Sequence, residues 1–221
     1  MARPRKALLD LERIADTALE LVDETGDFTV PEMARRLGVQ TASIYHHVDG
    51  RSGIVELLRA RIGAEMDTAL LVGRPWEPAL RDFARSYRAA FAAHPHLVPL
   101  LTGETVRAPV VLDCYEKLVV LMEQAGFPAP VIMTALTAFE NFILGAALDL
   151  AAPEVMWAIP DGTAAPRLAA ALAAQPTGAS RADRAFDFGI DVLIDGLVRL
   201  LRPAAQPMMP SLSRSDSRTG A

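Results

Sequence analysis

Gly26, Gly38 and Gly50 break the N-terminal hydrophobic pattern so often that only small helices, each braced by its neighbours, can form there. Ahead of the first break, Leu11, Ile14, Ala15, Ala18, Leu21 and Val22 recur at helical spacing with charges between them, the pattern of an amphipathic helix. Thr29, Val30, Pro31 and Glu32 then read as a capping box: the Thr29 hydroxyl and the Glu32 carboxylate each satisfy the other's backbone donor, and proline is tolerated in the first turn. Gly38 stands where a left-handed residue must end that second helix. A third short helix is expected over 41–47, and after Asp49 and Gly50 a fourth, longer one over 51–71. Two short helices joined by a glycine turn and braced by a preceding helix make the helix-turn-helix layout.

From Trp76 onward every substantial segment reads as helix. Leu80, Phe83, Tyr87 and Phe91 share a face, Val111, Tyr115, Leu118, Val119 and Met122 share another, and 131–150 is apolar nearly all round. Prolines and glycines over 152–182 leave room for one short Ala-rich helix, and a last helix over 182–201 stops at Pro203. No strand pattern and no internal repeat emerge. The expected fold is all-α, about ten helices: a helix-turn-helix domain with a basic arm over 1–50, a connecting helix and helical body over 51–202, and a disordered tail over 203–221.

With 221 residues, 51% of them hydrophobic, the chain can bury a sizeable core. Its one cysteine, Cys114, excludes an internal disulfide and any CxxC motif. Charges recur through the N-terminal stretch, so no signal peptide is expected, and a cytoplasmic location follows. Segment 131–150 is long enough to suggest a membrane span, but Glu140 and Asn141 lie at its centre, where a charge costs about 2.5–3.5 kcal/mol; it is expected to be buried between protein surfaces. No phosphate loop, GxSxG or HExxH is present, which excludes the common catalytic plans. His94 and His96 flank Pro95 without a nearby cysteine or carboxylate to complete a zinc site, so neither metal nor cofactor is expected.

Read together, Phe28, Thr29 and Val30, then Met33, Ala34, Leu37, Gly38 and Val39, then Ser43, Ile44 and Tyr45, with His47, Val48 and Arg51, resemble the DNA-binding domain of the TetR repressor family. More loosely, Trp76, Ser86, Arg88, His94, Gly126-Phe127, Phe142, Leu144-Gly145, Phe188-Gly189 and Gly196-Leu197 fall in the order seen in the C-terminal domain of the family's tetracycline-binding members. The resemblance implies that Thr41, Ala42 and Ser43 meet base edges in the major groove. It implies that Tyr45, His47 and Arg51 meet the phosphate backbone, and that Thr29, His46 and the basic arm of Arg3, Arg5 and Lys6 also belong to the DNA-binding surface. Pro31 and Asp49 replace basic residues of the tetracycline-responsive members, so a different operator is expected.

By the same resemblance the effector site comprises Asp67, Phe83, Tyr87, Phe91, Thr102, Thr105, Cys114, Leu118, Met133, Thr137 and Asn141. The histidine that holds a drug-bound magnesium in those members falls on Leu101 or Thr102 here, and two drug-binding amides fall on Phe83 and Leu118. A largely apolar organic effector is therefore expected. A homodimer seam is expected from 129–150 and 183–201, through Gly145, Phe186, Gly189, Leu193, Gly196 and Leu197. Glu140 and Asn141 face either that seam or the effector, since polar groups on an apolar helix need partners. The implied function is one-component repression: a dimer on double-stranded, inverted-repeat operator DNA, released by a small molecule. Net charge is −5 overall, and residues 1–66 hold nine Lys and Arg against eleven Asp and Glu. A helical partner-binding protein without DNA affinity is the rival, and salt-dependent duplex binding separates the two.

Overall fold

The computed structural model describes residues 9–201, and all regular structure among them is helical. The N-terminal arm Arg3, Arg5 and Lys6 and the tail from 203 lie outside the described residues.

Helix α1 (Leu11–Thr25) is capped by Asp10, whose carboxylate accepts from the Arg13 N–H at 2.9 Å, and ends at Gly26 in the left-handed region, φ 82°. Helix α2 (Val30–Leu37) starts at Thr29, whose hydroxyl accepts from the Glu32 N–H at 3.3 Å. Only that half of the expected capping box forms, because Arg35 and Arg36 engage the Glu32 carboxylate. After Gly38 (φ 65°) the short α3 (Thr41–Tyr45) follows, with Ile44 fully buried beneath it.

Helix α4 (Gly50–Gly63) is shorter than the expected 51–71. It stops where Gly63 meets α7 (Pro109–Gln124): a Cβ on Gly63 would lie 2.7 Å from Val111 Cγ2. The chain then turns into a separate 3₁₀ turn (Thr68–Leu71). Asp67 caps it through the Ala69 N–H, and the Asp67 N–H donates to the Ser86 hydroxyl at 2.8 Å. Periodicity could not reveal this break, since Leu70 and Leu71 continue the apolar pattern.

The body is built on α5 (Trp76–Ala92), which packs against α8 (Ala129–Leu150), α10 (Gly178–Leu201) and the 3₁₀ turn. Short α6 (Leu97–Thr102) closes one end, and α9 (Pro166–Ala173) buries no residue in the connection before α10. Buried Arg88 of α5 bonds the Ala146 carbonyl of α8 at 3.2 Å and Asp183 of α10 at 2.7 Å, and its guanidinium lies 4.5 Å over the Phe186 ring. Helix α8 is long and apolar enough to cross a membrane, but it is packed on three helices and its Glu140 is hydrogen-bonded to two of them.

The expected seam needs correction at two residues. Phe186 is buried inside the protomer, stacked on Phe142 with centroids 5.9 Å apart. Gly189 lets that Phe142 ring lie against the α10 backbone, so it serves α8–α10 packing. Leu193 and Leu197 are half-buried on the same core, whereas Gly145 and Gly196 are exposed with open space above them.

Because a Cβ at Gly189 would clash with the edge of the Phe142 ring, Gly189→Ala should destabilise the fold by about 1–3 kcal/mol, the usual cost of overpacking. Gly196→Ala should instead be neutral or stabilise by up to about 1 kcal/mol through helix propensity. Urea unfolding of the two variants checks this, and equal effects would contradict the assigned packing.

Candidate functional site

Two sites stand out, one on the head and one in the body. On the head, Ile44 anchors α3 into the core, and around it Thr41, Ala42, Tyr45, His46 and His47 are exposed while Ser43 is half-buried. The α3 surface is thus polar, uncharged and shallow. Thr29 is exposed, with its hydroxyl committed to the α2 cap.

The basic residues near α3 are not free as the sequence suggested. Arg35 pairs with Glu32, Arg36 with Glu24 at 2.8 Å, and Arg51 with Asp27. Arg51 also donates to the Phe28 carbonyl at 2.7 Å and lies 4.4 Å over the Phe28 ring. It therefore braces the start of α4 against the α1–α2 turn, a role set by a contact 24 residues away that no local pattern reveals. The Arg51 hydrogen bond holds the Asp27 carboxyl below its ordinary value of 3.8.

In the body, a cavity of about 250 Å³ opens between α4, α5, α6, α7 and α8. Of the expected effector residues it gathers Tyr87, Phe91, Thr102 and Asn141, and it adds Arg59, Val98, Leu101, Glu104, Val106, Tyr115, Glu140 and Leu144. Phe83, Cys114 and Leu118 line a narrow crevice of about 30 Å³ beneath it, joined to the cavity through Tyr87, Tyr115 and Glu140. Thr105 is exposed outside the cavity, and Asp67 is spent on capping the 3₁₀ turn. Met133 and Thr137 face outward on α8, four residues apart and in one row with Asn141 and Gly145. The lining is mixed rather than largely apolar.

Glu140 dominates the cavity floor. The Tyr87 hydroxyl donates to one carboxylate oxygen at 2.6 Å and the Tyr115 hydroxyl to the other at 2.8 Å. Burial, followed by the Glu140 charge, pushes both phenols well above their ordinary range, so both stay protonated donors. Burial also pushes the Cys114 thiol up to about 12, leaving it unreactive at neutral pH. Sequence reasoning singled out Glu140 but left its direction open; it faces the cavity. Arg59 and Tyr115 were missed as lining residues because each looks like an ordinary member of a helical face.

The cavity is also wired to the head. Arg59 of α4 donates to the Leu101 and Glu104 carbonyls at 2.8 and 3.0 Å, at the end of α6. At the start of α6, His94 bonds Asp23 at 2.8 Å and His96 bonds the Val22 carbonyl at 3.1 Å, both in the last turn of α1.

An exposed short helix on a three-helix head, joined to a helical body with a half-open cavity, is the layout of a helix-turn-helix regulator. A family model described as the tetracyclin repressor-like C-terminal domain matches residues 72–201. The class D tetracycline repressor of Escherichia coli is 30% identical over 198 residues, 86% of this chain and 89% of that protein. The transcriptional repressor DrrR1 of Streptomyces coeruleorubidus is 26% identical over 149 residues, so the match spans 66% of this chain and 55% of that repressor's length. A possible TetR family regulator of Streptomyces coelicolor A3(2) has a TM-score of 0.73 at 25% identity, covering 86% of this chain and all of that one. The chain belongs to the TetR family of transcriptional regulators.

If Arg51 is a brace, Arg51→Ala and Asp27→Ala should each destabilise the protein by about 1 kcal/mol, and the double variant by less than their sum. A depressed aspartate adds stability that is present above its unfolded pKa and is lost as pH falls through the folded one. The gap between wild type and Arg51→Ala should therefore hold at neutral pH and narrow in acid below the ordinary Asp27 value of 3.8. Denaturant midpoints across pH measure this; full additivity would return Arg51 to a purely DNA-facing role.

Proposed function

We propose that the protein is a cytoplasmic, one-component repressor that binds an inverted-repeat operator as a two-fold homodimer and leaves it when a small organic effector fills the body cavity. The observation that carries this reading is the cavity's lining: it includes residues of α4 and α6, the two elements that are bonded to each other and to the head. A ligand pressing on α6 moves groups that set the position of α3, and so changes the separation of two recognition helices in a dimer.

Dimerisation is supported by an unpartnered apolar row. Phe188, Val192, Gly196 and Leu200 recur every fourth residue on α10; the three large side chains are 73%, 53% and 60% exposed. The outward row of α8, Met133, Thr137, Gly145 and Leu148, lies on the helix packed beside it. Two helices from each protomer would make a four-helix seam, and the two glycines allow close approach. Large exposed apolar patches of this kind mark interfaces. Phe188, Val192 and Leu200 replace Phe186 and Gly189 in the seam proposed here.

On the head, Thr41, Ala42 and Ser43 are proposed to read bases, and Tyr45, His46 and His47 to touch phosphates. With the local arginines paired to carboxylates, the salt dependence of binding should be shallow for a dimer of this size. Duplexes selected from a randomised inverted-repeat pool supply the operator. Thr41→Arg should alter which sequences are selected. Thr102→Trp, placed at the exposed end of α6 where it lines the cavity, should bind that operator like wild type yet no longer release it with ligands found by thermal-shift screening. By reciprocity, operator DNA should lower wild-type affinity for such a ligand by the same factor that the ligand lowers affinity for DNA. Equal ligand affinity with and without operator would exclude control of the head by the cavity.

A further inference from the structure

We infer that the body cavity selects cationic ligands, with a positively charged nitrogen seated on Glu140 among the rings of Tyr87, Phe91 and Tyr115. This rests on the reading of the cavity as the effector site.

Each Glu140 carboxylate oxygen accepts one phenol and keeps further acceptor capacity. Among the described residues no Lys, Arg or His lies within salt-bridge distance of it. Arg59, the basic residue of the cavity lining, is already engaged elsewhere: its Nε pairs with Glu56 at 2.9 Å and its Nη2 serves two carbonyls. Glu104 is a second acidic residue of the lining, so the walls hold two acidic residues and one paired base. A part-buried carboxylate held only by neutral donors is costly to keep, and a ligand cation removes that cost. The tyrosines supply neutral hydrogen bonds and no positive charge.

The neighbouring rings supply the second half of a cation site. Phe83, Tyr87 and Phe91 form a continuous aromatic ladder, with centroids 5.9 and 5.1 Å apart, and Tyr115 stands across from it on the other Glu140 oxygen. A desolvated ammonium over aromatic faces gains cation–π attraction in addition to the charge-assisted hydrogen bond. A carboxylate ligand would meet Glu140 with repulsion. The volume of about 250 Å³ suits a two-ring aromatic amine, given that a cavity of about 150 Å³ takes benzene.

The test uses the full chain and three probes of one skeleton: 1-naphthylmethylamine, 1-naphthalenemethanol and 1-naphthoate, titrated by calorimetry at neutral pH. Wild type should bind the amine at least about tenfold tighter than the alcohol, with the acid weakest. Glu140→Gln should bring amine and alcohol to within about twofold, the scale of a lost charge-assisted contact. Tyr115→Phe, which keeps the carboxylate and removes a competing donor, should retain the preference and guards against a folding artefact in the first variant. Thr102→Trp should lose all three probes. Equal wild-type affinities for amine and alcohol, or a preference that survives Glu140→Gln, with Thr102→Trp still binding none, would overturn cation selection while leaving the cavity as the site. Failure of every probe on wild type, or unchanged binding to Thr102→Trp, would overturn the cavity reading and the inference with it.

Discussion

Helix α5 meets α8 through two polar links made by adjacent residues, and the body depends on that pairing. Tyr87 reaches Glu140 on one side of α8, and Arg88 reaches the Ala146 carbonyl on the other. Both groups would be costly to bury alone, so each fixes the register of the two helices to within hydrogen-bond tolerance. From the Tyr87 side follows the cavity floor, because Tyr115 of α7 must close on the second Glu140 oxygen. From the Arg88 side follows the seat of α10, through Asp183 and the Phe186 ring. The cavity and the outward apolar rows of α8 and α10 are thus consequences of one helix pair.

The head is organised differently. It has few buried polar links and relies on apolar plugs, Ile14, Val22, Met33, Ile44 and Leu58, with surface ion pairs around them. Pairing its arginines with nearby carboxylates leaves α3 itself without a charged side chain. For the proposed DNA-binding role, that arrangement favours contacts made by short side chains and helix amides over bulk electrostatic attraction. It also reconciles an acidic chain with a DNA-binding class, since the sign of the total charge says little about a surface whose charges are paired.

Much of the architecture was legible before any coordinates. Glycines 26 and 38 marked two helix ends, Thr29 one start, and hydrophobic spacing the long helices, because each of these is a local property of a few consecutive residues. Where reading failed, a distant partner intervened. Arg51 has the sequence position of a phosphate clamp, but its bonds to Phe28 and Asp27 span 23 and 24 residues and no local pattern encodes them. Asp67, Thr105, Met133 and Thr137 sit in the right segments but point away from the cavity. Gly189 looked like a seam residue because glycine signals close approach without saying to what; the answer is Phe142 of the same chain. Of the row Phe188, Val192, Gly196 and Leu200, only Gly196 belongs to the seam expected from sequence, because four-residue spacing alone does not tell an outward row from the adjoining one that packs on the core.

By itself, the sequence determined an all-helical chain with a helix-turn-helix at its start, and the family to which it belongs, since helix periods, caps and glycine stops are encoded over neighbouring residues. Tertiary structure decided which face of each helix is inside, which cations are free, and that Glu140 turns inward onto Tyr87 and Tyr115 rather than toward a partner. Those outcomes depend on pairings between residues 25 and 53 positions apart, as with Tyr115 and Tyr87 on Glu140, and a pairing over that distance is settled by packing, not by local propensity.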